Sequence, residues 1–115
     1  MALVQISQAQ GRVPVTLFHL QDRVDLNNFA ELEQAAQKAQ DDGMCDLVID
    51  MSKTEILTSI GIRALVIIHK MLSMDGVKHL KLANPSKHIS EVLQIAGITQ
   101  FIDMYDSVDE AVASF

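Results

Sequence analysis

A single cysteine, Cys45, occurs in the 115 residues. One thiol cannot close an intrachain disulfide, so a reducing compartment is the natural setting. Cations are also scarce: nine Lys and Arg stand against fifteen Asp and Glu, a formal net charge of −6. That balance does not supply the clustered Lys and Arg that neutralise phosphates, and no nucleic-acid partner is expected. No apolar run approaches the roughly 20 residues that span a bilayer. Residues 1–10 have neither a basic n-region nor a long apolar core, so a cytoplasmic protein without membrane insertion is expected.

Several chemistries lack their residues as well. A serine hydrolase elbow needs Gly-x-Ser-x-Gly, but Leu57 stands two positions before Ser59 and only Gly61 follows. His19, His69, His79 and His88 fall on separate stretches with no Cys or paired carboxylate at ligand spacing, so no metal is expected. No Gly-rich loop with its Lys is present, which leaves nucleotide hydrolysis unsupported. Asp50 follows a buried apolar run as the acceptor of a phosphoreceiver domain does. The acidic pair that such a domain carries after its first strand is missing, since Leu3–Ser7 is followed by Gln8, Ala9 and Gln10. No cofactor and no enzyme activity are expected.

What is present is apolar material, 49% of the chain, interspersed with charge. This predicts one globular domain over residues 1–115, burying about two-thirds of its unfolded surface. Leu3 to Ser7 and Val15 to Leu20 flank a turn at Gln8–Pro14 and read as an antiparallel edge hairpin, with Pro14 at a strand start. Asn28, with Glu31 in the capping-box position, opens a helix through Phe29, Leu32, Ala35, Ala36 and Ala39, which Gly43 ends. Leu47, Val48 and Ile49 read as a strand buried on both faces, hence parallel.

After Asp50 and Ser52 the chain is polar until Ile56 and Leu57 return to the core. Ser59 then reads as the cap of a helix over residues 60–72. Asp75-Gly76 turns into a further parallel strand, Val77 to Ala83, and Ser86 caps a helix stopped by Gly97. Phe101 and Ile102 form a brief extended segment before a last helix opened by Ser107 and Glu110. The class is α/β: a mixed, mostly parallel sheet of four to five strands with about four helices.

Asp50-Met51-Ser52 and Thr58-Ser59-Ile60-Gly61-Ile62 together resemble the signature of the STAS domain, the family of bacterial anti-sigma factor antagonists. There a strand ending Asp-Leu-Ser is followed by Asp-Ser-Ser-Gly-Leu at a helix start. The ending, with its glycine-stopped helix, Phe101 and short acidic-headed helix, is also similar, so the resemblance covers nearly the whole chain. It implies a phosphorylation site at Ser59, an anti-sigma factor serine kinase as partner and a PP2C-type serine phosphatase as its counterpart. Two positions depart from the pattern: Thr58 replaces the aspartate and Ile60 the second serine. These departures keep open a second reading, a non-signalling STAS scaffold subunit of a larger complex such as a lipid transporter.

The resemblance also implies an acidic residue near the phosphorylated serine, for which Asp25 is the best match; the residues alone equally allow a turn aspartate bonding its own backbone. At about 100° per residue, Arg63, Lys70, Val66, Ser73, Ile62 and His69 share one arc of the helix. Ile60, Ala64, Leu65, Ile67, Ile68, Met71 and Leu72 fill the rest and are expected in the core. Ile62 and Val66 within a charged rim of Arg63 and Lys70, beside Thr58 and Ser59, form the expected partner face.

Overall fold

The alternation of the first twenty residues becomes a hairpin of β1 (Val4–Gln10) and β2 (Pro14–Val24), turning at residues 11–13. The computed structural model describes residues 3–73 and 79–115. Beyond the hairpin, the described residues form α1 (Phe29–Asp41), β3 (Asp46–Leu57), α2 (Ser59–Ser73), β4 (His79–Ala83), α3 (Lys87–Ile95), β5 (Asp103–Tyr105) and α4 (Val108–Ala113). The strands make one sheet in the order β1-β2-β3-β4-β5, antiparallel at the first pair and parallel at the others. The expected α/β class is the observed one. The turn read at Asp75-Gly76 and the strand start at Val77 lie outside the described residues.

β3 carries apolar side chains on both faces. Leu47, Ile49 and Met51 join Phe18 and Leu20 in the larger core, beneath Leu32 of α1, Leu65 and Ile68 of α2, and Ile89 and Leu93 of α3. Val48 points the other way, into a smaller core with Val15, Leu17, Ala83 and the α4 residues Ala111 and Val112. Lys81 fastens α4 from below. Its Nζ donates to the Ser114 carbonyl at 3.1 Å and to Ser114 Oγ at 2.7 Å, and stands 4.3 Å from the centre of the Phe115 ring.

Several boundaries differ from the sequence reading. β2 continues past Leu20 to Val24 and β3 past Asp50 to Leu57, paired with each other as far as Val24 opposite Leu57. β4 leaves β3 at Asp50 opposite Ala83, so the second half of β3 has only β2 beside it. Lys53 and Glu55 there face solvent, which hides the strand from an apolar pattern although its backbone pairing is unbroken except at two register shifts.

The capping box at α1 does not form. Asn28 Oδ1 accepts the Asp25 N–H at 2.9 Å and its Nδ2 donates to the Arg23 carbonyl at 2.7 Å. Glu31 instead accepts the Leu3 N–H at 2.7 Å and ties α1 to the head of β1. Ser86 and Ser107 do cap their helices, through the Ile89 N–H at 3.2 Å and the Glu110 N–H at 3.1 Å. Gly97 follows α3 with φ of 80°, where a side chain is strained. Phe101 belongs to the turn that follows, and β5 begins at Asp103.

Candidate functional site

Where β3 ends, Leu57 enters the core, Thr58 turns the chain, and Gly61 lets α2 lie close on the strand ends. A Cβ at Gly61 would stand 2.9 Å from Leu57 Cδ1 and 2.9 Å from Val24 Cγ1, inside van der Waals contact. Glycine is therefore required by proximity. The Thr58 backbone N–H donates to the Val24 carbonyl at 3.2 Å and its hydroxyl donates to the same oxygen at 2.8 Å. Thr58 Oγ1 also accepts the Gly61 N–H at 3.4 Å.

Thr58, not Ser59, is thus the residue that caps α2. Ser59 is the first helical residue, and the expected helix over 60–72 is longer at both ends. The correction has a chemical consequence: the capping hydroxyl is held inward by Val24, while Ser59 is exposed. The first main-chain bond of the helix runs from the Ile62 N–H to the Thr58 carbonyl at 2.9 Å. The amides of Ser59 and Ile60 precede that ladder, at the positive end of the helix dipole, where an anion is favoured.

Asp25 is one residue beyond the carbonyl that anchors Thr58, which brings its turn to the same end of the sheet. Its Oδ1 accepts the Asn27 N–H at 3.0 Å and its Oδ2 is 3.2 Å from Arg23 Nε. Both oxygens are engaged within the turn itself. Two exposed apolar side chains flank this region: Leu26, which sequence reasoning missed, is 71% exposed, and Ile56, expected to return to the core with Leu57, is instead 42% exposed. The expectation failed because β3 continues to Leu57 without β4 beside it, and its alternation turns Leu57 inward and Ile56 outward.

On α2, Ser59, Arg63, Lys70 and Ser73 are exposed, while Gly61, Ala64, Leu65, Ile68 and Leu72 are buried. The shoulders correct the expected arcs. Ile62 and Val66 are half-buried and pack against the larger core, whereas Ile60 and Ile67, expected in the core, are half-buried outside that packing. A helix lying between α1 and the β4–α3 side buries a wide stripe, and a projection without its neighbours mistakes the centre of that stripe. Ile62 and Val66 therefore form the inner margin of the expected partner face, and Arg63 and Lys70 its outer part.

His69 closes this shoulder against Phe101, with ring centroids 5.2 Å apart. Burial lowers its pKa below the ordinary 6.5, because a desolvated ring disfavours the charged form. Among the described residues no group of three or more His, Cys, Asp or Glu side chains lies close enough to hold a metal ion. No described helix is long and apolar enough to cross a membrane.

The STAS domain family model matches residues 7–111. The Bordetella bronchiseptica protein named "Putative anti-sigma factor antagonist BtrV" is 28% identical over 97 residues, 84% of this chain and 82% of that protein. The crystal structure of an anti-sigma factor antagonist from Mycobacterium paratuberculosis superposes with a TM-score of 0.85 at 21% identity, covering 96% of this chain and 91% of the other. The Bacillus cell fate determinant SpoIIAA in its phosphorylated form gives a TM-score of 0.73 at 15% identity, over 96% and 97% of the two chains. At such identities the structural likeness establishes a shared fold.

Proposed function

The chain belongs to the STAS domain family, and we propose that it is an anti-sigma factor antagonist whose binding to an anti-sigma factor serine kinase is switched off by phosphorylation of Ser59. A PP2C-type serine phosphatase reverses the modification. The observation that carries this reading is the division of labour at the head of α2. Thr58 caps the helix and is held by Val24, leaving Ser59 exposed beside amides that precede the helical ladder. Thr58 takes over the structural duty that an aspartate at that position could perform, so its replacement is compatible with a working switch.

The partner surface comprises Arg63 and Lys70 on the outer face of α2, with Ile62 and Val66 on its shoulder and Thr58 and Asp25 holding the adjoining turns. Leu26 and Ile56 extend it with exposed apolar area. Phosphorylation adds about 1.5 to 2 negative charges, which the helix N-terminus offsets by roughly 0.3–2 kcal/mol. Arg63, four residues on, lies on the same helix face and can also pair with the phosphate. The fold tolerates the group; a docked partner must instead bury it, at a cost of several kcal/mol without a basic counterpart.

The test is a titration of the unmodified, Ser59-phosphorylated, Ser59→Ala and Ser59→Asp proteins against the candidate kinase, with circular dichroism of each. Phosphorylation is expected to weaken binding by ~100-fold or more, since ~1.4 kcal/mol is already tenfold. Ser59→Asp should reproduce part of the loss, and Ser59→Ala should bind without switching. Equal affinity for all forms, or phosphate transferred to Thr58, would overturn the switch and leave the scaffold-subunit reading.

A further inference from the structure

On the sheet face that carries α4, the side chains of three adjacent strands form a continuous hydrogen-bonded line. His19 of β2 and Asp50 of β3 are register partners, and Ser7 of β1 is diagonal to His19, opposite Leu17. Ser7 Oγ is 2.9 Å from His19 Nε2, and His19 Nδ1 is 2.9 Å from Asp50 Oδ2. Asp50 Oδ1 accepts the Ser52 N–H at 3.0 Å, so the carboxylate is held at both oxygens. A register shift, in which β3 advances from Asp50 to Lys53 while β2 advances from His19 to Gln21, turns that N–H back onto Asp50.

The order of groups assigns their roles. In a neutral imidazole whose Nδ1–H donates to the Asp50 carboxylate, Nε2 is left to accept the Ser7 hydroxyl proton. Nucleophile, base and orienting carboxylate are therefore within hydrogen-bond reach in sequence. Exposure grades along the same line: Ser7 is exposed, the His19 side chain is 31% exposed and the Asp50 side chain 12%. Beside the imidazole and the carboxylate lies a cleft of about 170 Å³ whose other polar walls are Gln5, Gln21, Ser52 and Lys53.

The edge of the sheet supplies the remaining element. The Gln21 N–H donates to the Leu3 carbonyl at 2.9 Å, which sets Leu3 and alternate residues after it, Gln5 and Ser7, as those bonded to β2. The N–H of Gln8, immediately after Ser7, consequently points outward from the free edge of β1 and can donate to a carbonyl oxygen held at Ser7.

We propose that Ser7 is an activated nucleophile that accepts acyl groups from small carboxylic esters through His19 and Asp50. Ser7 Oγ bonds to the acyl carbon as its proton passes to His19 Nε2. Collapse of the tetrahedral intermediate breaks the bond to the ester oxygen, and the departing alcohol takes the proton from Nε2. Water, deprotonated by the same nitrogen, then releases the carboxylic acid and restores Ser7. No other reactant is required. Asp50 is a positioning residue that holds the tautomer of His19.

The experiment treats the full chain with p-nitrophenyl acetate and, separately, with an alkyl fluorophosphonate, and locates adducts by peptide mass spectrometry. One equivalent on Ser7 is expected. His19→Ala should slow labelling by at least ~100-fold, and Ser7→Ala should abolish the adduct. Ser7 is exposed, so Ser7→Ala should keep the wild-type melting temperature, whereas His19→Ala strips the buried Asp50 carboxylate of a partner, and its labelling is read at a temperature where circular dichroism shows it folded. For Asp50→Asn the readout is the ¹⁵N spectrum of His19, which should leave the Nδ1–H tautomer of the wild type. No adduct on Ser7, labelling undiminished in His19→Ala, or p-nitrophenol release unchanged in Ser7→Ala would overturn the proposal. These readings do not involve Ser59 and stand apart from the switch.

Discussion

On one face of the sheet α1, α2 and α3 press a continuous set of Leu, Ile, Phe and Met side chains against β2, β3 and β4. On the other face, among the described residues, α4 covers a small patch around Val15, Leu17 and Val48, and beside that patch the middles of β1, β2 and β3 carry Ser7, His19 and Asp50. The contrast separates two requirements. The phosphorylation proposed at Ser59 needs a helix head that is firmly seated, and Gly61 brings α2 close against Val24 and Leu57. A polar relay needs strands at fixed spacing and access to water, which only a thinly covered face allows.

The largest effect should come from placing a charge in the thicker layer. Leu65 is fully buried, and Leu65→Glu is expected to cost several kcal/mol and abolish the cooperative urea transition. Retention of the wild-type transition would mean that the two faces do not differ as described. Lys81→Ala acts on the thin face, removing the hydrogen bonds to Ser114 and the contact with Phe115. About 1 kcal/mol should be lost, and hydrogen exchange should accelerate in α4 while β2 and β3 stay protected. Acceleration throughout β3 would show that α4 is integral to the larger core.

The smallest expected effect is a pH dependence confined to the α2 shoulder. Because burial lowers the His69 pKa below 6.5, the unfolded chain takes up this proton more readily than the folded one. The contribution of the neutral ring is present above the ordinary pKa and is lost as pH falls through it and below. Urea midpoints measured from about pH 7.5 to 5 should fall less in His69→Phe than in the wild type. Identical pH profiles would show that the ring against Phe101 is effectively solvated in both states.

Local pattern was enough for much of this protein. The unbroken run Leu47–Ile49 announced a doubly buried parallel strand because a strand between two cores needs apolar side chains on both faces. Ser86, Ser107, Gly43 and Gly97 marked helix ends because a cap hydroxyl or a left-handed φ is a requirement met within a few residues. The Thr58–Ile62 stretch marked the candidate site because Ser59 and Gly61 keep the order and spacing of a family signature, even though Thr58 and Ile60 depart from it.

Tertiary structure decided what depends on partners distant in the chain. Thr58 became the cap because Val24, thirty-four residues earlier, offers a carbonyl to its hydroxyl. Ile62 and Ile67 exchanged their expected environments because the buried stripe of α2 is centred by neighbouring elements, not by its own periodicity. Histidines read as isolated acquired carboxylates, Asp50 at His19 and Asp46 at 3.6 Å from His79. Ser7, His19 and Asp50 are separated by 12 and 31 positions, and what unites them is strand register. Register follows from the pairing of whole strands, so no local stretch of the sequence encodes it.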